Sequence, residues 1–318
     1  MLTYILALCG GLILLTIGAD GLVCAASTLA KRFGLSSLVI GIVIVGFGTS
    51  LPELAVSINA IIDNAPDIAL GNVIGSNTAN VLLILGLATL LGPLAAPRGS
   101  YLRDLGVMLS ASLVIALLSW TGSFGWIAGL AMVCALVVYL GVALMRGADD
   151  TTENDADAPF PGTKIRPLWQ TSLMAVGGLA GLLIGASLMV SGAVGISRVF
   201  GLSEAVIGLT VVAVGTSLPE LAAAIAAAYR KQPNLVLGNI IGSNIFNIFG
   251  ILGISSMVRT IPVSGQMAFI DVPVMLATAL LLALLIVVWQ AVGRIAGFAM
   301  LVAYGGYVTY LFSMSAAG

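Results

Sequence analysis

The sequence predicts an all-α integral membrane protein with ten transmembrane helices, arranged as two inverted-topology repeats of five helices each. Three observations predict this fold: an apolar composition, ten apolar segments of helix length, and a long internal repeat. Of the 318 residues, 60% are hydrophobic and only 8% are charged, whereas a soluble domain has about 25% charged residues. The composition therefore excludes a water-soluble fold.

The residue types also exclude several functions. The sequence contains no histidine, which excludes Ser-His-Asp triads, imidazole metal sites and histidine proton relays. The net charge is -1 without a basic run, so we expect no nucleic-acid partner. Cys9, Cys24 and Cys134 lie in apolar runs and are interpreted as small buried hydrophobic residues rather than bridges or ligands. We expect no cofactor and no enzymatic activity.

Ten segments are long enough to cross a bilayer, which takes about 20 mainly apolar residues per helix. They are predicted at residues 2–28, 36–61, 68–91, 101–119, 124–145, 168–195, 203–228, 234–257, 268–290 and 294–314. The first segment lacks a positively charged start and a cleavage site, so it is predicted to be a retained helix.

The loop cations predict the orientation in the cell (inner) membrane. With the N-terminus outside, ten lysines and arginines fall in inner loops, and only Arg198 and Arg259 fall in outer loops. An even number of helices then places both termini outside. The acidic stretch 147–167 becomes a cytoplasmic linker, interpreted as solvated; a regulatory calcium loop is the alternative, although the EF-hand order is absent.

The two halves of the sequence are copies of one unit. Residues 35–55 and 202–222 are identical at 14 of 21 positions with an offset of 167, and the same offset aligns 71–77 with 238–244. Each copy has five helices, and because five is odd the second copy must cross the membrane in the opposite direction. The sequence thus predicts a first repeat at 1–146 and a second at 168–318, an arrangement typical of secondary transporters with a midplane site.

The segment G-T-S-L-P-E occurs once in each repeat, in the middle of a span. Its proline lacks an N–H, which frees the carbonyl four residues earlier. The next residue, Glu53 or Glu220, is a carboxylate near the bilayer centre, which costs about 2.5 kcal/mol or more and indicates a functional site. The alternative is a protonated, hydrogen-bonded structural carboxyl. Thr49 and Ser50 are predicted on the helix face of Glu53, as are Thr216 and Ser217 on that of Glu220.

A second polar motif follows on the next helix of each repeat. Residues spaced by four share one face: Asn72, Ser76 and Asn80 in the first copy, and Asn239, Ser243 and Asn247 in the second. All candidate ligands are oxygen donors, which suit hard cations such as calcium or sodium rather than zinc or copper. Interhelical hydrogen bonding is the alternative for the hydroxyls. The glycines nearby are predicted to allow close helix packing: Gly41, Gly71, Gly75, Gly208, Gly238 and Gly242.

Three aspartates lie in or near the spans. Asp20 could be an ion ligand, a structural cap or a solvated charge, and the residues alone leave these open. Asp104 and Asp271 are at equivalent positions and are predicted at helix starts, where the macrodipole favours negative charge.

The paired GTSLPE and GNxIGSN segments resemble the two alpha repeats of the sodium/calcium exchanger family, within the cation/calcium antiporters, and most closely its short prokaryotic members. The resemblance implies ten helices with both termini outside, and first helices of each half that move. It also implies these ion ligands: the carboxylates of Glu53 and Glu220, hydroxyls or carbonyls of Thr49, Ser50, Thr216 and Ser217, Ser76 and Ser243, and the carbonyls of Gly46 and Ala213. Some members, including potassium-dependent ones, have an aspartate where this chain has Asn247. With amides at both Asn80 and Asn247, we expect no potassium dependence.

The predicted function is a secondary antiporter that exchanges calcium for sodium through a midplane site of oxygen ligands. Its expected partners are these two ions and the lipid bilayer, and it is a monomer or a homodimer. The main alternative is a proton-coupled calcium antiporter. An intramembrane hydrolase with Ser50 or Ser217 as nucleophile is disfavoured, because the spans contain neither a histidine nor a lysine to act as its base. A passive channel is disfavoured because the inverted repeat is typical of alternating access.

Overall fold

The computed structural model describes residues 1–146, 167–200 and 213–317, and most of these residues are helical. The helices are α1 (Leu2–Phe33), α2 (Ser37–Thr49), α3 (Leu51–Ile62), α4 (Pro66–Leu91), α5 (Arg98–Ser119), α6 (Trp126–Arg146), α7 (Leu168–Val199), α8 (Ala213–Thr216), α9 (Leu218–Tyr229), α10 (Pro233–Val258), α11 (Met267–Trp289) and α12 (Arg294–Ala317). The strands have two residues each: β1 (Leu94–Ala95), β2 (Ser123–Phe124), β3 (Ile261–Pro262) and β4 (Ala291–Val292).

The described helices agree with an all-α membrane protein. Eight of them are long and apolar enough to cross a membrane, and the bent pair α2–α3 makes a ninth candidate span. The first part of the predicted seventh span 203–228, up to residue 212, lies outside the described residues. The described part of this span forms α8 and α9. The acidic linker also lies outside the described residues, apart from Pro167.

The prediction that the cysteines are buried is wrong for two of the three. Cys9 and Cys134 are exposed on the outer faces of α1 and α6, and Cys24 is half-buried. An apolar run predicts a helix in lipid, but lipid-facing and protein-facing positions are equally apolar. The sequence therefore does not indicate which face of such a helix meets its neighbours.

The turns that join the helices are repeated in the two halves. Asn64, between α3 and α4, has φ 60°, and Lys231, at the equivalent position between α9 and α10, has φ 54°. Both residues close the turn in the left-handed region. Pro66 and Pro233 then begin the next helices, where the missing N–H has no helical partner to lose.

The helices α4 and α10 form the centre of the molecule, and α2 packs against α10. A Cβ at Gly238 would lie 2.6 Å from the carbonyl oxygen of Leu38, and one at Gly242 would lie 2.7 Å from the Cα of Ile42. The packing role predicted for these two glycines is thus confirmed. At Gly75, the equivalent of Gly242, a Cβ would meet nothing within 4 Å among the described residues, so the packing prediction is wrong there. Gly208 lies outside the described residues.

The first helices of the two halves, α1 and α7, pack against each other in antiparallel directions. A Cβ at Gly18 would lie 2.7 Å from the carbonyl oxygen of Gly178, and one at Gly185 would lie 2.8 Å from that of Gly11. Only glycine permits so short a distance between two helix backbones. Gly18 and Gly185 occupy equivalent positions, as do Gly11 and Gly178, so the contact is the same from either helix.

The short strands join the two halves of the chain. Strand β1, after α4, pairs antiparallel with β4, after α11. Strand β3 is the repeat equivalent of β1, yet it pairs with β2, after α5. Each strand is therefore paired with a strand of the other half, and the turns after α4 and α10, which are equivalent in sequence, belong to different pairs.

Candidate ion-binding site

Each repeated glutamate lies at a helix break. The chain bends by 43° between α2 and α3, at Ser50, and Pro52 lies at the start of α3. Glu53 is in the first turn of α3, and Glu220 is in the first turn of α9. The side chains are 1% and 2% exposed, respectively. A helix N-terminus favours negative charge, so the break provides a buried position for each carboxylate.

The two glutamates receive hydrogen bonds from each other's repeats. The hydroxyl of Ser50 donates to Glu220 Oε1 at 3.0 Å, and that of Ser217 donates to Glu53 Oε1 at 3.4 Å. The helical spacing instead predicted each serine beside the glutamate of its own repeat. The bend at Ser50 interrupts the helical periodicity, so the spacing of three residues no longer determines which carboxylate the hydroxyl meets.

Further site residues connect α2 with α10. The hydroxyl of Thr49 donates to the carbonyl of Val45 in its own helix at 2.9 Å and lies 3.4 Å from Asn239 Oδ1 of α10. The hydroxyl of Ser243, in α10, donates to the carbonyl of Gly46 in α2 at 3.1 Å. Thr49 and Ser243 are fully buried. In the second half, Ala213 begins α8 and Thr216 ends it, directly before Ser217.

Two asparagines hold the backbone of the glutamates. The side-chain amide of Asn72 donates to the carbonyl oxygen of Glu53 at 3.0 Å, and that of Asn239 donates to the carbonyl oxygen of Glu220 at 3.1 Å. The hydroxyl of Ser57 also accepts from Asn72, at 2.9 Å. The first member of each polar stripe therefore positions the glutamate.

The last members of the stripes meet a pair of asparagines that the sequence analysis did not single out. Asn80 donates to Asn244 Oδ1 at 2.9 Å, and Asn247 donates to Asn77 Oδ1 at 3.0 Å. Asn77 and Asn244 are the final residues of the repeated GNxIGSN segments. Their presence in both copies was the available signal for their role.

Four buried oxygen atoms of this cluster have no hydrogen-bond partner in the described part of the chain. They are Glu53 Oε2, Glu220 Oε2, Asn80 Oδ1 and Asn247 Oδ1. Buried polar atoms of this kind are costly unless something compensates them. Carboxylate and amide oxygens are the ligands that sodium and calcium prefer. Within the described residues, no group of three His, Cys, Asp or Glu side chains could hold a metal, so the cluster combines two acidic groups with neutral oxygens.

A cavity of about 420 Å³ lies between α4, α11 and α12, and it reaches Ser217, which donates to Glu53. Ser76 and Thr216 are also among its lining residues. Ser76 is 7% exposed, whereas its repeat equivalent Ser243 is fully buried. The site is thus more open on the side of α4 than on the side of α10.

The three aspartates lie apart from the glutamate pair. Asp104 is in the second turn of α5, so its predicted position at a helix start is wrong; it contacts Arg103 at 3.1 Å and accepts from the hydroxyl of Tyr139 at 2.9 Å. Asp271 accepts from the hydroxyl of Tyr307 at 2.8 Å. Asp20 is exposed and forms an ion pair with Arg230.

Comparison with known proteins gives a consistent result. The family described as sodium/calcium exchanger protein matches residues 3–145 and 171–313. The chain is 32% identical to the sodium/calcium exchanger MaX1 of Methanosarcina acetivorans, covering 95% of this chain and 96% of that protein. It is 36% identical to the inner membrane protein YrbG of Escherichia coli, covering 86% of each.

A solved structure of the sodium-calcium exchanger NCX_Mj, soaked with zero Na⁺ and Ca²⁺, is 32% identical and superposes with a TM-score of 0.86 over 97% of this chain and 99% of that one. Another structure of the same exchanger, soaked with Na⁺ and Sr²⁺, has a TM-score of 0.83. The family match covers both halves and nearly the whole chain. The chain therefore belongs to the sodium/calcium exchanger family, and it is a multi-pass membrane transporter of the cation/calcium antiporter type.

Proposed function

We propose that this protein exchanges calcium for sodium at a single site formed between its two repeats. The observation that supports this most directly is the set of four partnerless oxygens, two from each half, on Glu53, Glu220, Asn80 and Asn247. One cation among them would contact both halves at once.

The charge of the site favours exchange over leak. Two ionised glutamates give a formal charge of -2, and leaving both charges without a cation in a buried position is unfavourable. One calcium ion, or at least two sodium ions, neutralises that charge. Because both cargoes use the same carboxylates, they compete, and the loaded site changes sides more readily than the unloaded one.

The proposed architecture has ten helices in two inverted repeats, residues 1–146 and 168–318, joined by a cytoplasmic linker, with both termini outside a cell (inner) membrane. The antiparallel contact of α1 with α7 supports this arrangement, because equivalent helices run in opposite directions. The strand pairs support it also, because the equivalent turns after α4 and α10 belong to different pairs.

The proposed ligands are those oxygens that lie around the two glutamates or reach them from the cavity. They are the side chains of Glu53, Glu220, Thr49, Ser50, Thr216, Ser217, Ser76, Ser243, Asn80 and Asn247, with the backbone carbonyls of Gly46 and Ala213. The hydrogen bonds of Ser50 and Ser217 to the glutamates support the central part of this set.

The test is calcium uptake into proteoliposomes driven by an imposed sodium gradient, with equal pH on both sides. We expect uptake by the unmodified protein and its loss in both Glu53→Gln and Glu220→Gln. Asp67→Asn is the matched control, because it also neutralises a carboxylate but lies exposed in the first turn of α4. It should retain uptake.

Two other outcomes would contradict the proposal. Uptake that ignores sodium and follows a pH gradient would establish proton coupling instead. Full activity of either glutamine variant would mean that the carboxylates do not hold the transported ion.

A further inference from the structure

The cavity beside the ion site contains one acidic residue in largely apolar surroundings. Its walls come mainly from apolar residues of α4, α11 and α12, and they include Asp271, Tyr304 and Tyr307. Asp271 is only 8% exposed. Its carboxylate is therefore a buried acidic group in contact with a space large enough for a small molecule.

Asp271 has no cationic partner in the described part of the chain. Its one hydrogen bond comes from the hydroxyl of Tyr307, at 2.8 Å. The equivalent residue of the first repeat, Asp104, contacts Arg103 at 3.1 Å. The position equivalent to Arg103 is Ile270. One repeat thus supplies a cation to its buried aspartate, and the other does not. An uncompensated buried carboxylate is unfavourable, so a positively charged group from outside the chain would be attracted there.

The surroundings of Asp271 favour an organic cation over a metal ion. Calcium takes six to eight oxygen ligands, but the Asp271 carboxylate has one side-chain hydrogen-bond partner among the described residues, Tyr307, and the walls around it are mainly apolar. Aromatic rings bind ammonium groups through their faces, and two tyrosines lie in the same cavity. The volume of about 420 Å³ is within the range of small-molecule sites, roughly 300–1,000 Å³.

We propose that this cavity binds a lipophilic organic ammonium ion. The cationic centre lies at Asp271 beside Tyr304 and Tyr307, and the apolar part of the ligand lies along the walls of α4 and α12. Such a ligand fills the space through which Ser76 and Ser217 are reached, so it obstructs the ion site from that side.

The test is equilibrium binding of radiolabelled benzyltriethylammonium to the purified protein in lipid nanodiscs. We expect saturable binding that Asp271→Asn weakens at least tenfold. Asp67→Asn removes an exposed carboxylate of α4 that does not line the cavity, so its affinity should equal that of the unmodified protein. Size-exclusion profiles and melting temperatures establish that each variant is folded.

A second variant tests the location sterically while Asp271 stays in place. Gly75 lines the cavity, and a Cβ there meets nothing within 4 Å among the described residues. In Gly75→Leu the new side chain enters the cavity, so binding should be lost. Binding unchanged by either variant overturns the proposal, as does failure of the unmodified protein to bind. Weaker binding in Gly75→Leu with normal binding in Asp271→Asn would mean that the ammonium ion enters the cavity without using the Asp271 carboxylate, and also overturns the proposal.

This measurement needs no ion gradient, so its result is independent of the proposed exchange of calcium for sodium. If exchange is established separately, benzyltriethylammonium added on the cavity side should inhibit calcium uptake, and Asp271→Asn should relieve that inhibition.

Discussion

Ser50 and Ser217 are two of the residues whose hydrogen bonds connect the two halves of the protein at the site. Each hydroxyl donates to the glutamate of the opposite repeat, at 3.0 and 3.4 Å, and both serines are buried. A hydrogen bond to a charged group contributes about 1.5–3 kcal/mol. The Ser50 bond therefore helps to fix the position of the Glu220 carboxylate, and the longer Ser217 contact does so less strongly for Glu53.

Replacing Ser50 with alanine should weaken calcium binding about tenfold, because it removes a hydroxyl from the site and leaves Glu220 Oε1 without its donor. Isothermal titration of the purified protein with calcium measures this effect. Ser112→Ala is the matched control, since Ser112 is equally buried but donates to the carbonyl of Met108 in its own helix at 2.9 Å. Equal affinities of the two variants would contradict a role for Ser50 in the site.

The identity of the central residues could be predicted from the sequence, but their pairing could not. Glu53 and Glu220 stand out because a carboxylate in an apolar span is costly and occurs at the same place in both copies. Which serine meets which glutamate depends on contacts between α2–α3 and α8–α9, which lie about 170 residues apart in the chain. Once the helix is broken, the spacing of residues along one segment cannot predict a contact with the other segment.

The broken helix is the element that places the glutamate. A proline in the first turn of α3 leaves the preceding helix to end at Thr49, and Glu53 then begins a new helix with its N-terminal dipole directed at the site. The sequence predicted this break from Pro52 alone, because the missing N–H of a proline acts locally. Most of the other described helix bounds agree with the predicted ones to within three residues, since apolar length and turn residues determine them. The predicted ends of the first helices at 28 and 195 are wrong, because α1 and α7 continue to Phe33 and Val199.

Replacing Pro52 with alanine should allow α2 and α3 to join, since the N–H of residue 52 can then bond to the carbonyl of Gly48. We expect sodium-driven calcium uptake to fall by more than tenfold while the protein remains folded, because Glu53 moves away from the helix start. Pro66→Ala is the control, as Pro66 begins α4, where the helix tolerates either residue. Normal uptake by Pro52→Ala would show that the bend is not needed.

The contact between α1 and α7 depends on individual glycines, and adjacent positions differ sharply. A Cβ at Gly178 would lie 2.6 Å from the backbone nitrogen of Leu22, whereas one at Gly177 meets nothing within 4 Å in the described residues. Gly178→Leu should lower the melting temperature, since overpacking costs about 1–3 kcal/mol, and Gly177→Leu should leave it nearly unchanged. Thermal unfolding followed by size-exclusion chromatography compares the two. A similar loss in both would mean that the helices do not pack through this face.

The molecule as a whole is less symmetric than its sequence. A Cβ at Gly75 would meet nothing within 4 Å among the described residues, whereas Gly242 is packed, although both belong to the same motif. Ser76 lines a cavity, while Ser243 is fully buried. Two segments that differ only at Val73 and Ile240 thus lie in an open environment in one half and a closed one in the other. The sequence could not predict this difference, because it depends on which side of the site is open in a given conformation.

This asymmetry predicts which side of the site is accessible to solvent. Val56 lines the cavity, and its repeat equivalent Ala223 is 1% exposed. In the proposed orientation, with both termini outside, Val56 falls in the outer half of its span. In a background with Cys9, Cys24 and Cys134 replaced by alanine, a membrane-impermeant thiol reagent applied from the outside should therefore label Val56→Cys and spare Ala223→Cys. Mass spectrometry of the intact protein measures the labelled fraction. Equal labelling of both positions, or labelling of Ala223→Cys alone, would contradict this conformation.

The crossed hydrogen bonds also constrain how the protein can change over generations. Neither half contains a finished site, since each glutamate is positioned by a hydroxyl that the other half encodes. A substitution near the glutamate of the first half therefore also changes the surroundings of the glutamate in the second half. Whether it is beneficial or harmful depends on the substitutions that the second half already carries. The duplicated halves are free to drift in their lipid-facing residues, but around the glutamates they are inherited as one unit. If one half alone were replaced with that of a distant relative, its serine and glutamate would meet partners with which they did not evolve.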